Sequence, residues 1–382
     1  MSTDQDTHDL PTWCEIDLGA LRANIQQLQS RLQKNCVMGV VVKADAYGHG
    51  IVACSRAAVA AGAQMLIVND VDEATLLRSA GITDDIYICG PLAPQQARAA
   101  VDTGAALVVS EQKSVDALSQ AAVAAQRTIQ LHLKIETGTH RQGVLPEAAA
   151  DLARMIQVRP GIQLAGITTH LADLEDGMDD LFARQQLERF EVAHCSLKSA
   201  GFNQLLRHAA SSAAALMMPA SQLDMVRAGL ITYGLCPSDT LARRINAQIE
   251  LRPVLSWRAR VFPGAEVGVG ESIGYGRTYR VGAGEPRRHA VLNVGYHEGF
   301  DRRRSNRGYV LVGGLRAPVR GRVCMNMSMV EPAANTTIGA VATIIGRDGT
   351  DSISADLVAA WTSTINYEVV SRIHPRIPRI MR

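Results

Sequence analysis

The chain has 382 residues, 47% of them hydrophobic and 20% charged, an ordinary globular composition with room for two hydrophobic cores. A formal net charge of +2 argues against nucleic acid as a partner, and no apolar run approaches the roughly 20 residues that a membrane span needs. The seven cysteines form no CxxC pair and no His/Cys cluster, so we expect reduced thiols and no bound metal.

The first part of the chain alternates between short apolar runs and longer Ala-rich amphipathic stretches. The opening MSTDQDTHDLPT lacks the cationic start and apolar core of a secretory signal, so we expect a cytoplasmic protein. Eight apolar runs follow: VMGVVV from Val37, MLIV from Met65, IYIC from Ile86, ALVV from Ala106, IQLHLKI from Ile129, LAGITT from Leu164, LLRHA from Leu205 and MVRAGLITYG from Met225. Eight strands with intervening helices predict a (β/α)8 barrel over residues 1–245 rather than a doubly wound sheet.

The sequence changes character after about Asn246. Gly-punctuated alternating segments such as VLSWRARVFPG, HAVLNVGYHEG and VATIIGRDG predict a mostly antiparallel β domain over residues 246–382. Within it we expect one helix from about Ala355 to Thr364. The leading TWCEIDL, near residues 10–18, is expected to pair with this domain as an N-terminal strand. The basic end RIHPRIPRIMR is interpreted as a solvated terminus.

Reactive side chains follow the apolar runs at the point where each predicted strand ends. They are Lys43 after the first run, Lys134 and Arg141 at and after the fifth, His170 at the end of the sixth, His208, Ser211 and Ser212 after the seventh, and Arg227 in the eighth. Because barrel enzymes place their active sites at the carboxyl ends of the strands, these residues predict a site there.

Lys43 follows three valines, where partial burial favours the neutral nucleophilic amine that Schiff-base chemistry requires. On this observation alone, a lysine that extends into solvent from the barrel mouth fits equally well. The small residues of RHAASSAAAL and of VRAGL suit a phosphate cradle after the last two strands, although a serine pair is more typical of a helix cap.

Several separated segments occur in an order that is typical of one enzyme family. They are VVKADAYGHG at residues 41–50, KIETGTHRQG, TTHLAD, HAASSAA, DMVRAGLITYGLCPS, VGYHEG, GRVCMN and TINYEVVSRI. Together they resemble the alanine racemase family, whose members are pyridoxal-phosphate-dependent enzymes of fold type III, and VVKADAYGHG is similar to its cofactor-lysine signature. The resemblance implies a (β/α)8 barrel followed by a mostly β C-terminal domain. It also implies interconversion of L- and D-alanine through a pyridoxal 5'-phosphate aldimine, in a homodimer with shared active sites.

The resemblance also assigns roles residue by residue. Lys43 would hold the cofactor and act as one acid/base group, and Tyr296 would be the opposing base. Arg141 and the backbone of Met325 would bind the substrate carboxylate, with Tyr296 and Met325 supplied by the second subunit. Arg227 would face the pyridine nitrogen. The other positions that match cofactor contacts are Tyr47, His170, Ser212, Gly229, Leu230 and Tyr367.

These residue types suit racemisation, because inverting an α-carbon requires one base on each face of it. Tyr296 needs nearby positive charge to serve as a base, and Arg141 or His170 is the expected source; without the motif it would be an ordinary half-buried aromatic residue. Arg227 effectively never gives up its proton, so the ring nitrogen that it contacts should stay unprotonated. Without the motif, Arg227 fits a structural ion pair equally well.

Lys134 matches a lysine that is carbamylated in many relatives, where the resulting anion would position Arg141. We treat this modification as a hypothesis, motivated by KIETG and by the seven-residue spacing between the two side chains.

The match is imperfect near the substrate-binding arginine and the second-domain motifs. The differing positions are Glu136, Thr139, His140, Ser211, His297, Glu298 and Asn326. They leave open a racemase of broader specificity, acting on serine or other small amino acids. A non-catalytic cofactor-binding barrel would lack the second domain. A decarboxylase of the same barrel type would need a glycine-rich phosphate loop and a catalytic cysteine in the β domain, and neither is found in a matching context.

Overall fold

The computed structural model describes residue 7 and residues 9–175, 179–286 and 288–382. Residues 1–6 and 8, from the opening segment used in predicting a cytoplasmic protein, lie outside this part. The described chain forms two compact units. The barrel unit consists of Leu21–Ala46 and Ile51–Arg252; the β unit consists of the described residues up to Ala20, Tyr47–Gly50 and Pro253–Arg382. No helix in the described ranges has the length and apolarity to cross a bilayer. The boundary between residues 245 and 246 remains a prediction.

Eight parallel strands form the barrel unit, which confirms the fold class expected from the apolar runs. After strand β1 (Thr12–Ile16), which belongs to the β unit, come β2 (Val37–Val41), β3 (Met65–Val68), β4 (Ile86–Ile88), β5 (Ala106–Val109), β6 (Ile129–Lys134), β7 (Ile162–Thr168), β8 (Leu206–His208) and β9 (Met225–Ala228). They pair in the order β8-β7-β6-β5-β4-β3-β2-β9. An isolated bridge joins Ser211, just after β8, to Arg227 of β9, so the barrel is nearly closed.

Helices connect the barrel strands. They are α1 (Leu18–Gln29), α2 (Lys43–Gly48), α3 (Ile51–Ala60), α4 (Val71–Ser79), α5 (Ala97–Thr103), α6 (Gln112–Ala124), α7 (Ala149–Gln157), α8 (Leu181–Ser199), α9 (Ser212–Met217) and α10 (Asp239–Ile245). Local chemistry sets several ends: the Asp70 carboxylate caps α4, and α5 ends at Gly104 in the left-handed conformation. The last apolar run does not continue as a strand through LITYG, because Thr232 donates to the Gly229 carbonyl and closes a 3-10 turn over Leu230–Tyr233.

The barrel interior changes from apolar to polar toward the carboxyl ends of the strands. Tyr87, His132 and His208 are buried there, with ring centroids 4.9 to 5.3 Å apart, and His132 Nδ1 lies 2.8 Å from His208 Nε2. Gly166 leaves the space that this cluster occupies: a Cβ at that position would lie 2.7 Å from the Leu206 carbonyl oxygen and 2.9 Å from His132 Nδ1. Close packing in this layer therefore supports the polar end of the barrel.

The β unit is a mostly antiparallel sheet. Its further strands are β10 (Leu255–Glu266), β11 (Ser272–Ile273), β12 (Tyr279–Arg280), β13 (Arg288–Leu292), β14 (Tyr309–Val312), β15 (Leu315–Pro318), β16 (Ser328–Val330), β17 (Val341–Asp348), β18 (Asp351–Ile353) and β19 (Arg379–Met381). The main sheet has the order β15-β14-β17-β10-β1-β19, with β1 antiparallel to β10 and parallel to β19. Helices α11 (Ala355–Thr362) and α12 (Asn366–Ser371) complete the unit.

The interpretation of the basic C-terminal end as a solvated terminus is wrong. Ile377 and Ile380 are buried, and the Pro378 carbonyl accepts a hydrogen bond of 2.8 Å from the Cys14 N–H. The Arg379 guanidinium donates to backbone carbonyls, including that of Gly48 at 3.1 Å. The alternation of isoleucine with basic residues thus places the apolar side chains in the core of the β unit.

Replacing Gly166 with alanine tests how tightly the polar layer of the barrel is packed. Because the new methyl group would overlap a backbone oxygen and His132, we expect a loss of about 1–3 kcal/mol in the free energy of unfolding, measured in urea. Val158→Ala, at an exposed position, is the control and should change it by less than about 0.5 kcal/mol. Equal effects of the two substitutions would contradict this account of the packing.

Candidate active site

The carboxyl ends of the barrel strands bring together five of the side chains that the sequence indicated. Lys43 begins α2 directly after β2, and Lys134 is the last residue of β6. Burial lowers the pKa of His170 well below its ordinary value, and the charges of Arg227, Lys134, Arg141 and Lys43 lower it further. Four basic groups therefore act on one imidazole, which remains neutral near pH 7.

Arg227 lies at the centre of this group and is buried. Its Nη1 donates to His208 Nδ1 at 3.0 Å and to the Thr168 hydroxyl at 3.3 Å. Its Nη2 donates to the carbonyls of Thr169 and Ala209, at 2.8 and 2.9 Å, and to His170 Nδ1 at 3.2 Å. These partners are neutral acceptors, not the carboxylate of an ion pair. Among the described residues, none accepts a hydrogen bond from the Arg227 Nε–H, so this donor remains for a ligand.

Lys134 is 8% exposed and faces two arginine charges. Burial lowers the pKa of its amine to about 7, with Arg227 and Arg141 acting in the same direction. Within the described part of the chain, no residue accepts a hydrogen bond from this amine. A large fraction of Lys134 is therefore unprotonated and nucleophilic at neutral pH.

The loop after β6 is organised by Glu136, one of the positions where the sequence departs from the family pattern. Its carboxylate accepts hydrogen bonds from the Gly138 N–H and, at 3.3 Å, from the Thr139 hydroxyl. Burial raises the pKa of Glu136, but hydrogen bonds from the backbone of His140 and Gly138 outweigh that effect and leave the pKa below its ordinary value. The loop ends in the exposed Arg141, whose side chain is available to a ligand.

Two short turns follow the last barrel strands. Ser211 caps α9 by accepting a hydrogen bond from the Ala214 N–H, which is the helix-cap role expected of a serine pair. Ser212 instead accepts a hydrogen bond of 2.7 Å from the Gly229 N–H. Ser212 and Leu230 begin helical turns, and the first N–H groups of such turns have no acceptor within the helix. They are suitable donors for an anion.

In the β unit, the structure brings Tyr296 and Met325 together on adjacent loops. The Tyr296 N–H donates to the Cys324 carbonyl at 3.1 Å, and the His297 N–H donates to the Met325 carbonyl at 2.9 Å. The approach depends on Gly295, because a Cβ there would lie 2.3 Å from the Cys324 oxygen. The side chains of Tyr296 and Met325 are exposed by 42% and 56%, so both can reach a ligand or another subunit.

Tyr47 and Tyr367 also lie together in the β unit, with ring centroids 6.2 Å apart. Gly48 has φ +81°, and a Cβ at this position would lie 2.3 Å from the Val370 carbonyl oxygen. The glycine therefore lets the YGHG segment pack directly against α12. The residues indicated by the sequence thus form one group in the barrel unit and one in the β unit.

The sequence interpretation missed three residues near the barrel group. His132 lies two positions before Lys134 on β6 and so shares its face of the strand, a spacing that could have identified it. Cys89 directly follows β4 and acts electrostatically on Lys134 and Arg227. Glu73 lies on α4 and contacts the backbone after Lys43, a contact that no local sequence pattern reveals.

Models of the two domains of one family match nearly the whole chain. The N-terminal domain of alanine racemase matches residues 16–237, and its C-terminal domain matches residues 254–381. The alanine racemase of Desulfovibrio desulfuricans is 39% identical over 97% of this chain and 98% of its own length. That of Leptospira interrogans is 37% identical over 100% of this chain and 97% of its own length.

Solved structures agree with these relatives. Alanine racemase from Streptomyces lavendulae superposes with a TM-score of 0.90 at 34% identity, covering 97% of both chains. The Bacillus anthracis alanine racemase, described with bound L-Ala-P, gives a TM-score of 0.91 at 32% identity, covering 97% of this chain and 95% of its own. The similarity in sequence and the similarity in structure both extend over the barrel unit and the β unit. This chain therefore belongs to the alanine racemase family of isomerases.

Proposed function

We propose that this chain interconverts L-alanine and D-alanine with pyridoxal 5'-phosphate held covalently by Lys43, and that Lys43 and Tyr296 are the two acid/base groups. The observation that carries the proposal is the set of four basic side chains acting on His170 at the carboxyl end of the barrel. Such a concentration of basic groups, in which the two guanidiniums stay charged, suits a ligand with a phosphate and a substrate with a carboxylate. Relatives named alanine racemase over nearly the full length support the same reaction.

The donors in the barrel unit fit this cofactor. Lys43 supplies an amine, and the Arg227 Nε–H is a donor without a described partner. The turns that begin at Ser212 and Leu230 supply backbone N–H groups for a phosphate, beside Gly229, whose own N–H donates to the Ser212 hydroxyl. Tyr47, Tyr367 and His170 are the further residues that would hold it. When bound, the cofactor withdraws electrons from the substrate Cα and makes its proton acidic enough for a side chain to remove.

The surroundings of Arg227 keep its proton in place. The two histidine nitrogens that face it act as acceptors. Burial lowers the pKa of the guanidinium, but a guanidinium effectively does not give up its proton in a protein. If Arg227 holds the ring nitrogen of the cofactor, a donor that cannot lose its proton would leave that nitrogen unprotonated. The cofactor would then withdraw electrons more weakly, which would favour return of the proton to Cα over transamination or loss of a side chain.

Arg141 and the Met325 N–H would bind the substrate carboxylate and fix the orientation of Cα. Lys43 Nζ would then remove or return the proton on one face, and Tyr296 Oη on the other. We propose further that Tyr296 and Met325 come from a second copy of the chain, in a homodimer with shared active sites. The cytoplasmic location remains a prediction.

Lys134 is proposed to be carbamylated. Its neutral amine would attack carbon dioxide, forming an N–C bond and releasing a proton, and the product carries a negative charge. That charge would offset Arg227 and Arg141, which both act on Lys134, and would hold the Arg141 guanidinium in position.

The two-base proposal predicts an asymmetric defect in Tyr296→Phe. The wild-type protein should racemise L-alanine and exchange the Cα proton of both enantiomers with deuterated solvent. Without the phenolic oxygen on one face, the variant should lose exchange mainly with one enantiomer. Exchange is followed by NMR, with Tyr275→Phe, an exposed tyrosine in the same unit, as the control. Unimpaired exchange of both enantiomers in Tyr296→Phe would refute the assigned role.

Shared active sites predict complementation between inactive variants. Neither Lys43→Ala nor Tyr296→Phe should racemise alanine alone, and Lys43→Ala should lack the visible absorbance of the bound cofactor. After the two are mixed, unfolded and refolded together, random assortment should restore about a quarter of the wild-type activity, because half of the dimers contain one intact site. If the two residues act within one chain, the mixture stays inactive.

Carbamylation predicts uptake of carbon dioxide that depends on pH. Because the pKa of Lys134 is lowered to about 7, the neutral amine, and with it the carbamate, should increase between pH 6 and pH 8 at constant dissolved carbon dioxide. The carbamate carbon is observed by NMR with ¹³C-labelled carbon dioxide. The signal should vanish in Lys134→Ala and persist in Lys113→Ala, an exposed lysine. Absence of the signal in the wild-type protein at pH 8 would exclude the modification.

A further inference from the structure

We propose that Glu73 is a positioning residue for Lys43, because its carboxylate fixes the strained backbone turn that begins directly after the lysine. The inference deepens the function proposed above and rests on it, since it concerns the residue that would hold the cofactor. No motif in the sequence points to Glu73, and its role emerges from the contacts that it makes in the barrel unit.

The turn after Lys43 is left-handed. Ala44, Asp45, Ala46 and Tyr47 all have φ +54°, and none of them is glycine. In this conformation the Cβ of an L-residue approaches the following carbonyl oxygen, so each residue costs free energy and runs of such residues are rare. A run of four therefore needs support from surrounding structure.

Part of that support comes from the segment itself. The Ala46 N–H donates to the Val42 carbonyl at 2.8 Å, and the Asp45 carboxylate accepts a hydrogen bond of 2.8 Å from the Ile51 N–H. These contacts close the turn locally. They do not determine how the turn is oriented relative to the barrel.

Glu73 provides the link to the rest of the barrel. One carboxylate oxygen accepts a hydrogen bond from the Ala44 N–H at 2.5 Å, and the other accepts one from the Asn69 N–H at 2.7 Å. Asn69 directly follows β3, which pairs with β2, the strand that leads into Lys43. The carboxylate thus joins the ends of two neighbouring strands through two charge-assisted hydrogen bonds.

The position of Glu73 is itself fixed. Its N–H donates to the Asp70 carboxylate at 3.1 Å, which is the N-cap of α4. Burial raises the pKa of Glu73, while the N–H groups of Asn69 and Ala44 and the charge of Lys43 oppose that rise. The carboxylate therefore interacts with the Lys43 ammonium as well as with the backbone beside it.

The consequence concerns the direction of the Lys43 side chain. Ala44 is the next residue in the chain, so a rotation of the peptide between them changes where the amine points. A displacement of about 1 Å in a reacting group is enough to reduce a rate about a hundredfold. Glu73 would therefore act through Lys43, by way of the Ala44 backbone.

The test compares Glu73→Ala and Glu73→Gln with Ser238→Ala, which removes the hydroxyl that caps α10 in the same unit and leaves the contacts of Glu73 with Ala44 and Asn69 in place. In Glu73→Ala, the exchange rate of the Ala44 amide and the Kd for pyridoxal phosphate should each rise about tenfold or more, and kcat for alanine should fall by a similar factor. This is the effect expected from losing a hydrogen bond to a charged group. Glu73→Gln should fall between wild type and Glu73→Ala, because its one amide oxygen can accept only one of the two bonds.

A second substitution separates positioning from general destabilisation. Ser238→Ala should lower Tm while leaving Ala44 exchange and cofactor Kd within about twofold of wild type, because the lost cap affects the start of α10 and not the first turn of α4. Adding Ala44→Gly to Glu73→Ala should recover part of the cofactor affinity, because glycine adopts positive φ without the steric cost.

The outcomes distinguish this inference from the function on which it rests. Wild-type racemisation together with Ala44 exchange, cofactor Kd and kcat within about twofold of wild type in both Glu73 variants would overturn the role of Glu73 alone. A wild-type protein that neither binds pyridoxal phosphate nor racemises alanine would overturn the proposed function. In that case Ala44 exchange in Glu73→Gln still shows whether the carboxylate holds the turn.

Discussion

The arrangement at the barrel mouth depends on the burial of one positive charge without a carboxylate to neutralise it. Arg227 is 9% exposed, and within the described part of the chain its terminal nitrogens donate only to carbonyls, a hydroxyl and two imidazoles. An unpaired buried cation is costly, but several oriented neutral acceptors can replace its hydration. Burial is the main cause that lowers the pKa of Lys134 to about 7 and that of His132 to about 4, and the Arg227 charge acts in the same direction. The guanidinium therefore helps to keep neighbouring bases neutral, and neutral imidazoles are the acceptors that it requires.

The backbone is strained or unusually closely packed beside several of the candidate residues. Four left-handed residues follow Lys43, and Gly295 lets the Tyr296 loop approach the Met325 loop more closely than any side chain would permit. Each feature is held by contacts from a different element: the Glu73 carboxylate at the first, and backbone hydrogen bonds to Cys324 and Met325 at the second. Strain that is fixed by rigid surroundings fixes the direction of a side chain, which a relaxed loop does not.

The sequence was sufficient for the fold and for much of the barrel group. Buried parallel strands have continuous apolar sequences, so all eight could be located. In a barrel the residues that follow these strands must lie together at its carboxyl end. Contacts between distant segments left no comparable signal. The bond from Ala44 to Glu73 joins residues 29 positions apart. The prediction of a solvated C-terminal end was wrong for a related reason. Basic residues at a chain end are typical of an exposed segment, but the Arg379 guanidinium donates to backbone carbonyls that come near it only in the folded chain.

Two of the departures from the family pattern prove to be coupled. Glu298 and Asn326 are two of the positions that differ from the resembled pattern, and in this chain the Glu298 carboxylate accepts a hydrogen bond of 2.7 Å from the Asn326 amide. Its other oxygen accepts one of 2.9 Å from the Gly295 N–H. An amide beside a carboxylate forms an attractive contact where two carboxylates would repel each other. The pair therefore ties the Tyr296 loop to the Met325 loop, so these substitutions preserve the arrangement of both candidate residues and are not in themselves a reason to infer a different reaction.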